Sequence, residues 1–134
     1  LVKFQISSYK SQTMDNIQNP NRPKNDLEER TARFAQNVRV FVRKVPKNII
    51  SVEDGKQLVR SSGSVGANYI EANESLSKKD FVMRAKICRK EAKESRYWLQ
   101  MFDTLSSELV MERDELIQES TELLRIFSAI ILKF

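Results

Sequence analysis

The 134-residue chain contains no histidine. That removes the commonest general base near neutral pH and the commonest metal ligand. Cysteine occurs once, at Cys88, so no intrachain disulfide forms and no zinc site of ordinary spacing assembles. A chain without a disulfide framework fits a reducing compartment, and a cytoplasmic protein is expected. Three glycines and three prolines are too few for the turns of a β-sandwich or barrel. No apolar run reaches the roughly 18 residues of a membrane span. No charged-then-apolar leader marks a signal peptide. Gly63-x-x-Gly66 lacks the length, the lysine and the preceding strand of a phosphate-binding loop. With no nucleophile motif and no cofactor fingerprint, the chain is expected to be non-enzymatic, without metal or cofactor.

What remains is a chain of helix formers and apolar residues, 31% charged and 40% hydrophobic. The expectation is a single all-α domain. Its net charge of +5 is unevenly spread. Residues 78 to 96 hold eight cations against three anions, and the rest of the chain is neutral. At 3.6 residues per turn, Lys78, Lys79, Lys86, Arg89, Lys90, Lys93 and Arg96 fall within an arc of roughly 120°. Tyr97 lies on the same arc. The other side carries Phe81, Ala85, Cys88, Ala92, Ser95, Leu99 and Phe102 in unbroken 4-3 spacing. The pattern predicts one helix with a buried seam backed by a basic strip. Cys88 falls in the seam, where it reads as a small buried hydrophobe.

Residues 1 to 25 have no helical period and are rich in Ser, Asn, Gln, Lys and Pro. They read as a poorly ordered tail, in which Met14 is a candidate natural start. A first helix is predicted from an N-cap at Asp26 to Pro46, with Leu27, Thr31, Phe34, Val38, Phe41 and Val45 as its seam. A second runs from about Ser51 to Asn73, burying Leu58, Ser62, Val65, Tyr69 and Ala72. Its small residues from Ser61 to Ala67 predict close approach of a neighbouring helix. The basic third helix is expected from a Ser77 cap, boxed by Asp80, to about Leu105. Ser106, Ser107 and Glu108 read as a connection. The fourth helix is expected from about Arg113 to Lys133, with Leu116, Ser120, Leu123, Phe127, Ile130 and Phe134 as its seam. Ile117, Leu124 and Ile131 make a second row there. Residues 26 to 134 thus read as an antiparallel up-down-up-down four-helix bundle.

The third helix has a further row: Arg84, Ile87, Glu91, Glu94, Trp98, Met101 and Leu105. Two readings fit, a wide core stripe or a surface for another subunit. Glu91 and Glu94 are not the cleft-flanking acids of glycosidase chemistry. They are expected to form a structural ion pair, with Arg60 or Arg84 as partner.

Three blocks of residues then stand out in order. The first is Asp26-Leu27-Glu28-Glu29-Arg30-Thr31, with Phe34-Ala35 and Val45-Pro46. The second is Gln57-Leu58, Arg60-Ser61 and Ser64-Val65-Gly66-Ala67-Asn68, with Glu71-Ala72. The third is Ser77, Asp80-Phe81, Lys90-Glu91-Ala92, Glu94-Ser95 and Tyr97-Trp98-Leu99. Together they resemble the bacterial four-helix bundle proteins encoded by intervening sequences in 23S ribosomal RNA genes. The accessory protein of diversity-generating retroelements is a relative. The resemblance covers residues 26 to 133. It implies an antiparallel bundle assembled into a ring-like homo-oligomer, a pentamer, with a basic surface that binds RNA or DNA. By position, Arg60, Asn68, Glu71, Glu91 and Glu94 match the family's polar positions, to which packing and ion pairs are assigned.

The leading expectation is a homo-oligomeric scaffold binding nucleic acid, with structured RNA favoured, through Lys78, Lys79, Lys86, Arg89, Lys90, Lys93, Arg96 and Tyr97. Cations neutralise phosphates and release counterions, and Tyr97 is placed to stack on an unpaired base. The alternative is a module that docks an acidic protein partner, such as a polymerase or ribosomal factor.

Overall fold

The computed structural model describes residues 26–134. They form four helices, with no strand among the described residues: α1 (Asp26–Lys44), α2 (Ile49–Asn73), α3 (Lys78–Met101) and α4 (Ser107–Leu132). The expected N-terminal tail, and Met14 within it, lie outside the described residues.

α1 follows its pattern closely. Leu27, Thr31, Phe34, Val38 and Phe41 are buried, and Val45 is buried just past the helix end. Acids fill its first turn and Arg43 and Lys44 its last, as the helix dipole favours. Asp26 is the first helical residue rather than the residue before the helix.

α2 begins two residues before the expected Ser51, because the cap is Asn48. The Asn48 side chain accepts from the Ser51 amide at 2.9 Å, and the Ser51 hydroxyl accepts from the Asn48 amide at 2.9 Å. This is a capping box with serine in place of the usual glutamate. The expected close approach falls at Gly66. A Cβ there would lie 2.9 Å from the Thr31 hydroxyl oxygen, so a side chain at 66 would push α1 away. Small residues serve the next seam too, where the buried Ser61 and Ser95 hydroxyls of α2 and α3 meet at 3.0 Å.

α3 is capped as expected by Ser77, whose hydroxyl accepts from the Asp80 amide at 3.1 Å. The reciprocal bond from Asp80 is not formed. The helix stops at Met101, four residues short of expectation. Phe102 turns into an extended conformation and drives its ring into the core, edge-on to Phe41 at 5.4 Å. The Phe102 carbonyl accepts from Arg113 Nη1 at 2.6 Å. α4 begins about six residues earlier than expected. Ser106 is its N-cap, accepting from the Leu109 amide at 3.3 Å, so Ser107 and Glu108 belong to the first turn.

The core is one cluster drawn from all four helices, with Phe34, Phe41, Leu58, Leu99, Leu123 and Phe127 sealed from solvent. Each such side chain contributes about 1.5–3 kcal/mol on burial. The packed neighbours are α1 with α2, α2 with α3, α3 with α4, and α4 with α1, the last seam being the thinnest. Contacts run in opposite numerical order along each pair. Gly66 of α2 meets Thr31 of α1 while Gly55 meets Val42. Asn68 meets Arg84 of α3 while Ser61 meets Ser95.

The third row of α3 is largely taken up inside the chain. Trp98 and Leu105 pack against the core, Glu91 is buried, and Met101 is 39% exposed. Ile117, Leu124 and Ile131 of α4 likewise flank the core. Phe134, expected in the α4 seam, lies past the helix end and is 58% exposed, its ring 5.2 Å from that of Phe81.

Candidate nucleic-acid interface

α3 has a small-residue inner face of Ala85, Cys88, Ala92 and Ser95, all buried. That face seats the helix close against the core and turns its other side to solvent. Lys78, Lys79, Lys86, Lys90 and Lys93 are exposed there. Arg89 and Arg96 are half-buried and lean over α4. Arg89 Nη1 donates to the Ser128 hydroxyl at 3.5 Å, and Arg96 Nη1 to the Thr121 hydroxyl at 3.4 Å. Both partners are neutral, so neither arginine's charge is compensated. Among the described residues none of these seven cations forms an ion pair. From Lys78 to Arg96 the strip is about 27 Å long at 1.5 Å per residue. Tyr97 is 51% exposed, and its ring meets that of Trp98 at 5.0 Å and 78°.

The polar positions sit at the α2–α3 seam. Arg60 pairs with both Glu91 and Glu94, reaching Glu91 at 3.3 Å. Trp98 Nε1 donates to Glu94 at 3.1 Å, which fixes the indole beneath Tyr97. Hydrogen bonding to Glu94 raises the Arg60 pKa above its ordinary value, against burial, with the charge of Glu91 helping. Arg84, the other candidate partner, donates instead to Asn68 Oδ1 at 3.4 Å, and the Asn68 amide donates to the Ser64 carbonyl at 2.8 Å. Glu71 is exposed and forms no ion pair among the described residues.

A second electrostatic feature has no signature along the chain. A groove of about 820 Å³ opens along the thin α1–α4 seam, lined by Asp26, Glu29, Glu112, Glu115, Glu119 and Glu122 against only Arg30 and Arg33. Arg30 bridges it. Arg30 Nε and Nη2 donate to the two Glu119 carboxylate oxygens at 2.8 and 2.7 Å, and Nη2 also reaches Glu122 at 2.7 Å. Burial pulls the Arg30 pKa down, but the hydrogen bonds and charges of Glu119 and Glu122 outweigh it and the pKa is raised. The acidic groove and the basic strip occupy different faces of the bundle. Among the described residues no group of three or more potential ligands is placed to hold a metal ion, and no helix is long and apolar enough to cross a membrane.

Cys88 is fully buried, and burial pushes its thiol up to about 12 from 9.0, against the smaller opposing effects of a backbone hydrogen bond and the charge of Arg84. At pH 8 the thiolate fraction is therefore about a thousandfold below that of a free thiol. Alkylation by iodoacetamide at pH 8 is expected to be at least about a hundredfold slower in the native protein than in denaturant. Equal rates would show that the seam opens. A folded-state pKa above the unfolded one stabilises the fold fully below the unfolded value of 9.0, and that contribution fades as pH rises toward 12.

Comparison with curated proteins finds no match. Among solved structures, the chain is similar to a crystal structure from Bacteroides thetaiotaomicron, described as a protein of unknown function from the S23 ribosomal protein family. The two are 28% identical with a TM-score of 0.64, over 78% of this chain and 96% of the other. Residues 24–129 match the profile of the 23S rRNA-intervening sequence proteins. That match spans all four helices except the last residues of α4, and on it the chain belongs to the 23S rRNA-intervening sequence protein family.

Proposed function

We propose that this chain is a non-enzymatic, cytoplasmic helical scaffold that assembles with copies of itself and binds nucleic acid, structured RNA above all, through the α3 strip. The observation that carries this reading is the row of exposed cations without carboxylate partners. Water-solvated cations on one rigid rod release counterions when they meet phosphates. No base-reading motif accompanies them, so binding depends on charge and shape more than on sequence. The family's tie to 23S rRNA supports RNA as the ligand. The opposite order of contacts along each helix pair supports an up-down-up-down antiparallel bundle, and family resemblance supports a pentameric ring of such bundles.

The test is a filter-binding titration of a labelled RNA hairpin across a salt series. Each phosphate contact adds about 0.9 to the slope of log affinity against log salt for a duplex. A slope steeper than about −3 is expected from the strip. A flat line overturns the proposal.

One observation favours a second reading, docking of an acidic protein surface. The chain itself presents such a surface in the α1–α4 groove, so a neighbouring copy is an available partner for the strip. Here the protein purifies free of nucleic acid, its pull-downs survive nuclease, and its light-scattering mass falls toward that of a monomer as salt rises.

A further inference from the structure

We infer that the nucleic-acid surface crosses from α3 onto α4, where Arg125 grips the same phosphate backbone. The inference rests on the function proposed above. Two cross-helix contacts join α3 to α4, Arg89 to Ser128 and Arg96 to Thr121. The Thr121 hydroxyl also donates to the Ile117 carbonyl at 2.9 Å, so toward Arg96 it acts as acceptor. Both arginines therefore lie across the crevice on neutral oxygens and keep their charge facing out.

Thr121 and Ser128 stand two turns apart on one side of α4. Arg125 lies between them, four residues after the first and three before the second, which are the spacings of neighbours on a helix surface. The two contacts run in opposite order along α3 and α4. Arg125 is thus level with the Ala92–Lys93 turn, midway between Arg89 and Arg96. It is exposed, and among the described residues it pairs with no carboxylate. Its acidic neighbour one turn back, Glu122, is turned to Arg30 on the α1 side at 2.7 Å. A backbone laid along the crevice meets Lys93, Arg89 and Arg96 from α3 and Arg125 from α4. Two ridges of cations hold a phosphate chain in register where one ridge only attracts it. Arginine suits that place, because its planar fork makes paired bonds to phosphate oxygens.

The experiment compares the full chain with Arg125→Gln and Arg125→Lys against the same labelled RNA hairpin over a salt series. Glutamine keeps most of the aliphatic stem, and matching thermal melts confirm the fold. Arg125→Gln is expected to lower affinity about fivefold at 0.1 M salt and to make the salt slope shallower by about 0.9, one phosphate contact. Arg125→Lys is expected to restore the slope but only part of the affinity. If the unchanged protein binds with a steep slope and Arg125→Gln matches it in both slope and affinity, this inference is overturned and the α3 strip stands. If the unchanged protein shows no salt-dependent binding, the proposed function fails and the inference with it.

Discussion

Reversing Lys86, Lys90 and Lys93 to glutamate together is expected to weaken binding to a structured RNA about a thousandfold at 0.1 M salt. The expected loss is electrostatic. Three reversals change the charge of the strip by six units, and a contact with phosphate in screened water is worth roughly 0.7 kcal/mol per unit. The total of about 4 kcal/mol corresponds to roughly three decades of affinity. The fold has little at stake, because all three lysines are exposed and none pairs with a carboxylate. New carboxylates at these positions face arginines and one another at helix spacings, worth only a few tenths of a kcal/mol each. Circular dichroism and the thermal midpoint are therefore expected to stay within a few degrees of the parent. Affinity unchanged in the triple variant would remove α3 from the binding surface.

Arg30→Ala carries the largest expected loss of stability. The guanidinium makes three short bonds to Glu119 and Glu122, and the Glu122 side chain is only 7% exposed. Removing the cation leaves Glu122 buried with a weak 3.4 Å bond from Gln118 as its remaining side-chain partner. Breaking a buried pair in this way costs about 3–5 kcal/mol. Glu119 retains 27% exposure and recovers some hydration, so about 2–4 kcal/mol is expected, or roughly a 10 °C fall in midpoint. Urea unfolding measures it. Adding Glu122→Gln to Arg30→Ala is expected to recover part of the loss, because the stranded charge is gone. A loss below about 1 kcal/mol would show that α4 does not need the bridge.

The apolar seams were legible because burial repeats every three or four residues within one helix. Leu27 to Phe41 on α1 and Leu58 to Ala72 on α2 fall where periodicity puts them. The same periodicity misled at the end of α3. Phe102 stays in phase with the seam and Leu105 with the further row because both still reach the core, although the backbone has left the helix. At α4, Ser106-Ser107-Glu108 has the composition of a loop, and only cap geometry distinguishes a first turn from a connection. The basic strip was visible because seven of its residues lie on one helix. The acidic groove was not, because its carboxylates come from α1 and α4, which lie far apart in the chain. Arg125 escaped for the same reason, its significance depending on two contacts made by α3. The choice of Arg60 over Arg84 as partner of Glu91 and Glu94 likewise needed the α2–α3 seam to be built.

Placing lysines and arginines on α3 and glutamates between α1 and α4 gives the folded chain a lasting electric moment. A body with such a moment rotates in the field of a polyanion before the two touch. Its cationic side then arrives first, and collisions in the wrong attitude become rarer. Encounter is expected to exceed the rate of unguided diffusion at low ionic strength, and added salt erases the advantage by shortening the reach of the field.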